Sequence, residues 1–197
     1  MIHKLKTPPA SEPVSLADMR EHLGITQADD VSRDNVIAGR IISARQWCEY
    51  YTRTVFVQQT WVGYGKDFPY DDSDGGIIEL KAPLSSVVSF KYTDNEGIQQ
   101  TLSNSTYQVD LVSSCVVPAY GINWPAERSG LNSVQVEYVC GYANAAAVPE
   151  SIKDAIRFIV GQWEVFQTSM EGVVRPFTIP NAAKQLLDNY VDMRGYF

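Results

Sequence analysis

The sequence predicts an α+β fold: a mainly helical core of about four helices, with an antiparallel β-rich insert between the second and third. Three observations predict it. Residues 32–53 and 148–166 carry apolar side chains at steps of three and four, the spacing of one helical face. Residues 55–142 change to short alternating or β-branched runs. Clusters of Asp, Asn, Gly and Ser separate those runs, as turns require.

Taken in order, residues 1–13 are polar and proline-rich and predict an extended N-terminal arm. Ser15 offers a helix N-cap, with Asp18 three residues on as the capping-box acid. Leu16, Met19 and Leu23 make a stripe, and Gly24 ends this short helix. Residues 26–31 read as an acidic loop. Ser32 is the expected cap of the long second helix, which places Val36, Ile37, Ile41, Ala44, Trp47, Cys48 and Tyr51 on one face and runs to about Arg53.

Strands are predicted at residues 55–62, 76–80, 87–93, 98–102, 107–111, 115–118 and 133–140. Asn95-Glu96-Gly97 between two of them predicts a β-hairpin. Helix returns at Val148, with Pro149 suited to a first turn. Ile152, Ala155, Ile156, Ile159, Val160, Trp163 and Phe166 then repeat at helical spacing. A loop with Gly172, Pro176 and Pro180 leads to a last helix over about 181–193, carrying Ala183, Leu186, Leu187, Tyr190 and Val191. The expected organisation is an arm at 1–13, a helical core from 14–54 and 148–197, and a β-rich insert at 55–147. The two long helices are expected to pack on each other. Their stripes, with Trp47 and Trp163, are wider than one helix pair covers, so part of that surface is expected to meet another subunit.

With 197 residues, 45% of them hydrophobic and 20% charged, the chain has the composition of an ordinary globular domain with a core large enough to need no disulfide or metal. The formal charge of −7 and the lack of any Lys/Arg run argue against sequence-specific DNA binding, which requires a basic patch for the phosphates. An acidic surface remains compatible with DNA that slides past. Cys48, Cys115 and Cys140 are odd in number and widely spaced; Cys48 and Cys140 read as small buried hydrophobes of a reduced cytosolic protein. The N-terminus has no apolar stretch of a signal peptide, and no apolar run has the length of a membrane span. Synthesis in the cytoplasm and no membrane partner are therefore expected.

The search for reaction chemistry finds no catalytic, cofactor-binding or metal-ligating set. His3, in the arm, and His22, on the polar side of the first helix, both read as solvated surface, which nearly removes Ser-His-Asp and Cys-His catalysis. Asp71, Asp72 and Asp74 beside Gly75-Gly76 read as an acidic hairpin tip, because a calcium loop needs ligands over twelve positions. Gly63-Tyr64-Gly65 and Gly141 read as strand ends, without the following helix a phosphate loop needs. Asp110 and Glu137 are a carboxylate pair with nothing in the sequence to bring them together. Trp61, Trp124 and the many tyrosines suit core packing, a subunit interface or a carbohydrate-stacking cleft.

Several stretches in order carry a resemblance. Residues 13–23, PVSLADMREHL, are similar to an opening PVSLAEAKAHL helix. Asp29-Asp30, Val36-Ile37 and Ile41-Ile42-Ser43-Ala44-Arg45 follow, then Glu49-Tyr50-Tyr51-Thr52-Arg53 and Gln59-Thr60-Trp61. Residues 80–87, Tyr107-Gln108-Val109-Asp110, Trp124-Pro125, residues 134–142, and Pro149 with Ile152-Lys153-Asp154-Ala155-Ile156 complete the series. Over roughly residues 13–167 this order resembles the head–tail connector (adaptor) family of tailed bacteriophages and prophages. The resemblance implies a structural virion protein at the head–tail junction, with no enzymatic role and no cofactor. Its copies would form a ring, usually of twelve, beneath the portal protein, and extend the DNA channel toward the tail and its stopper or completion protein. A C-terminal segment, here residues 173–197, would dock on the portal. Trp163, Phe177, Leu187, Tyr190 and Tyr196 are the candidate protein-contact residues. The alternatives are a stopper or tail terminator, expected to be β-dominated; a carbohydrate- or ligand-binding β-module with a cleft at Trp61 or Trp124; and a metal-independent hydrolase with converging carboxylates.

Overall fold

The computed structural model describes residues 1–25, 33–69, 76–168 and 179–194, with side chains in the 150–168 helix described through Val165. It contains four α-helices and eight strands among these residues: β1 (Ile2–Thr7), α1 (Leu16–His22), α2 (Asp34–Thr52), β2 (Gln59–Gly65), β3 (Ile78–Glu79), β4 (Leu84–Thr93), β5 (Gln99–Thr101), β6 (Tyr107–Asp110), β7 (Cys115–Pro118), β8 (Val134–Cys140), α3 (Glu150–Thr168) and α4 (Asn181–Leu187). The fold is mixed α+β. It divides into two compact units, one of Met1–Ala10 with Gln58–Ala143, the other of Ser11–Val57 with Asn144–Phe197.

The β-unit is entirely antiparallel, with a five-stranded sheet in the order β1-β2-β8-β4-β5 and a three-stranded sheet β3-β7-β6. β8 shows the period-two logic plainly: Val134, Val136, Tyr138 and Cys140 are buried, and Gln135, Glu137 and Val139 between them are not. Phe90 of β4 meets Tyr107 of β6 at 5.5 Å between ring centroids, joining the two sheets, and Phe68 stacks on Trp124 at 5.0 Å and 9°. The expected hairpin is β4–β5, pairing Lys91 with Thr101 and Thr93 with Gln99. Its turn is held by Asp94, whose carboxylate accepts from the Glu96 and Ile98 N–H groups and from Gln100 Nε2, while Gly97 takes φ +86°, a conformation a Cβ disfavours.

Residues 1–13, expected as an arm, are extended, but residues 2–7 are the edge strand β1, paired with β2 from Ile2↔Tyr64 to Leu5↔Trp61. The physical reason is the backbone pairing with β2 together with His3, the part-buried residue of the strand, which lies 2.8 Å from the Tyr138 hydroxyl, while Lys4 and Lys6 stay exposed. The β-block is thus not simply an insert between helices, because the first residues of the chain belong to it. His3 corrects its solvated reading. Burial, helped by the nearby Lys81 charge, lowers its pKa from 6.5 to about 4.

In the helical unit, α1 opens with the expected capping box: Asp18 N–H donates to Ser15 Oγ, and Ser15 N–H donates to the Asp18 carboxylate. The cap expected at Ser32 lies outside the described residues. α2 leaves its last turn at Arg53 in the left-handed region, φ +58°. Ile37, Ile41, Ala44 and Cys48 of α2, Ile152, Ala155, Ile156, Ile159 and Val160 of α3, and Ala183 and Leu187 of α4 form the core together with Met19. No helix among the described residues is long and apolar enough to cross a membrane.

Candidate interaction surfaces

Two charge clusters organise the helical unit. Arg45 is almost fully buried, and its guanidinium donates to Glu12 Oε2 and to Glu49 Oε2, each at 2.6 Å. Glu49 in turn accepts the Phe56 N–H at 3.0 Å, so one carboxylate ties the end of α2 to the chain leaving it. On α3, Glu164 is buried and holds both Arg33 and Arg40. Arg20 of α1 pairs with Asp34 at the start of α2. A buried charge is tolerable only when paired in this way.

These pairs leave the outward face of α2 without charge. Its four charged residues, Asp34, Arg40, Arg45 and Glu49, are all paired and at most partly exposed. Its outward positions include Val36, Gly39, Ile42, Ser43, Gln46 and Tyr50, none of them charged. The outer surface of α3 differs: Arg157 bridges Glu150 and Asp154, and Lys153 also pairs with Glu150.

The candidate contact residues fall in three environments. Trp163 on α3 and Tyr190, in the 3₁₀ turn that follows α4, are half-buried. Leu187 is fully buried, so it serves the core of its own subunit and corrects its assignment as a contact. Phe177 and Tyr196 lie outside the described residues. Sequence reasoning missed the outward face of α2, because counting apolar steps assigned Val36 to the buried stripe although it is 47% exposed. The missing signal was that the charged residues of that helix already had partners.

Asp110 sits on β6 and caps the Val112 and Ser113 N–H groups, whereas Glu137 sits on β8 of the other sheet and pairs with Lys6 at 2.7 Å. Trp124 is buried, with its Nε1–H donating to Gly76 O at 2.7 Å, and Trp61 is covered by the Lys81 ammonium 4.6 Å from its ring. They do not form an aromatic cleft. All three cysteines are buried and free, and burial pushes the Cys48 thiol up to about 12. Asp71, Asp72 and Asp74 lie outside the described residues, and among the described ones no group of three or more His, Cys, Asp or Glu is placed to hold a metal.

The chain thus combines a helical unit with a β-unit of two antiparallel sheets. The chain superposes on a chain of the neck of an empty gene transfer agent particle computed with C6 symmetry, with TM-score 0.78 and 16% identity, covering 98% of this chain and 97% of that one. A chain of the virion of a native gene transfer agent particle matches with TM-score 0.77 and 18% identity over the same shares. One from the neck of a native particle computed with C12 symmetry matches with TM-score 0.69 and 14% identity, again over 98% and 97%. At these identities the likeness is one of fold. No protein-family profile matches the sequence, and no curated protein matches it.

Proposed function

We propose that this chain is a structural subunit of the neck of a phage-like particle, a head–tail connector (adaptor) that forms a ring beneath the portal protein and extends the DNA channel toward the tail. The observation that carries this reading is the fold likeness to neck chains over 98% of this chain and 97% of theirs. It agrees with the ordered sequence resemblance over residues 13–167. The C6 and C12 symmetries of the necks that contain similar chains support a ring, and a ring of twelve fits both.

The mechanism is binding alone. Paired charges tie α1, α2 and α3 together, and the helical unit presents surfaces to neighbouring copies. Residues 173–197, with Phe177 and Tyr196, dock on the portal, Trp163 and Tyr190 add contact area, and a stopper or completion protein binds the tail side. The net charge of −7 favours a channel that repels the DNA backbone and does not hold it. A stopper or tail terminator is the weaker reading, because the long α2 and α3 have no place in a β-dominated protein.

Native mass spectrometry of the purified chain over a wide concentration range, with and without purified portal, tests this. Rings of the chain, alone or on portal, are the expected result. A chain that associates neither with itself nor with portal at any concentration overturns the connector reading.

A further inference from the structure

Helix α2 turns Ile37, Ile41, Ala44 and Cys48 to the core but keeps charge off its outward face. A helix on the surface of a globular protein normally turns charged residues to solvent and apolar ones to the core. Here the four charged residues are drawn in to partners: Asp34 to Arg20, Arg40 to Glu164, Arg45 to Glu12, and Glu49 to Arg45. The outward residues Val36, Gly39, Ile42, Gln46 and Tyr50 follow one another at steps of three and four and, with Ser43 beside Ile42, form a single uncharged stripe. Val36 is 47%, Ile42 40% and Tyr50 84% exposed. At 1.5 Å per residue the stripe is about 21 Å long. Nothing lies within 4 Å of where a Cβ on Gly39 would stand, so the stripe has an open notch at its middle, beside the Ser43 hydroxyl that donates to Gly39 O.

The pairs offset the burial of the charges, whereas Val36, Ile42 and Tyr50 in water forgo the free energy that covering them would release. The arrangement becomes favourable when the outer face is covered as well. The charge balance says by what. Each copy carries −7, so a contact between copies is favoured where neither presents charge. A partner of opposite charge would be recognised by exposed charged groups, and this stripe has none. We infer that the outward stripe of α2, centred on Gly39, Ile42 and Gln46, is a contact surface for a second copy of this chain. The inference rests on the ring reading and gives that ring a contact face.

The test compares single-charge variants in whichever assembly the wild type forms, alone or on portal, with circular dichroism and thermal melting as checks of folding. Ile42→Glu and Gln46→Glu are both exposed positions and are expected to fold. They are expected to raise the concentration for half-assembly by about tenfold or more, the effect of a like charge facing a contact. Val112→Glu, at a 96% exposed position in the turn after β6, is the control and is expected to assemble as the wild type does. A photo-crosslinker at position 46 is expected to give a copy-to-copy product. Normal assembly of Ile42→Glu or Gln46→Glu overturns this contact while leaving the connector reading intact, as does a crosslink that goes only to portal. Equal damage from Val112→Glu overturns it too, because the effect would then be one of net charge. A wild type that never assembles overturns both.

Discussion

The two units use their carboxylates differently. In the β-unit, acids hold loop backbone: Asp94 gathers the N–H groups of its own turn, Asp110 caps Val112 and Ser113, and Glu127 accepts the Phe68 N–H at 3.3 Å. In the helical unit, acids hold arginines from other turns or other segments: Glu12 and Glu49 share Arg45, and Glu164 gathers Arg33 and Arg40. The cores differ in the same sense. Rings of Phe68, Phe90, Tyr107 and Trp124 touch one another in the β-unit, whereas Ile37, Ile41, Ile152, Ile156 and Ile159 fill the helical one. One unit is stapled by local turns around an aromatic cluster. The other is tied by ion pairs between segments, which leaves the outward face of α2 without charge.

The largest effect that sharpens this contrast is expected in the aromatic cluster. Trp124→Ala removes the Phe68 stack and the bond to Gly76 O, and should destabilise the β-unit by about 3–5 kcal/mol in denaturant titration. A loss below 1 kcal/mol would break the claim that stacked rings anchor that unit. Next comes Arg45→Met, which leaves Glu12 and Glu49 facing each other without their cation. A loss of about 3 kcal/mol is expected, because stranding buried charge is the costly step. If the variant is neutral, the helical unit is not locked by its pairs.

A smaller effect follows from His3. Its folded pKa is about 4 against an ordinary 6.5, so the unfolded chain takes up the proton first as pH falls. Stability is complete above pH 6.5, declines as pH falls toward 4, and then levels off, by about 2 kcal/mol over that window once partial exposure is allowed for. Hydrogen exchange along β1 and β2 at several pH values should report it, and His3→Gln should flatten the profile. The smallest effect expected is for Ser15→Ala, which opens the capping box of α1 and should lower the melting free energy by about 1 kcal/mol.

Much of this was legible in the sequence. The capping box of α1, the β4–β5 hairpin, the β8 alternation and the α3 stripe are each set by residues close together in the chain, and local pattern finds them. β1 was not, because its partner lies beyond α1 and α2, and because an edge strand bearing Lys4 and Lys6 looks like a solvated tail. The contact surface was harder still. Whether Val36 and Ile42 face out depends on where Arg40 and Arg45 find their acids, and those acids, Glu164 and Glu12, are remote in sequence. Leu187 shows the converse: its place near the C-terminus suggests a contact, yet its side chain is buried in the helical unit.

The strand order β1-β2-β8-β4-β5 has a consequence for how the chain is made. Among the described strands β8 is the last synthesised, yet it lies in the middle, bonded to β2 on one side and to β4 on the other. Until residues 134–140 emerge from the ribosome, the β1–β2 ribbon and the β4–β5 hairpin are separate pieces, each with an open edge that a neighbouring nascent chain can pair with. Arrival of β8 joins them in one late event. Conditions that slow translation before Val134 are therefore expected to raise aggregation more than the same delay placed after Cys140.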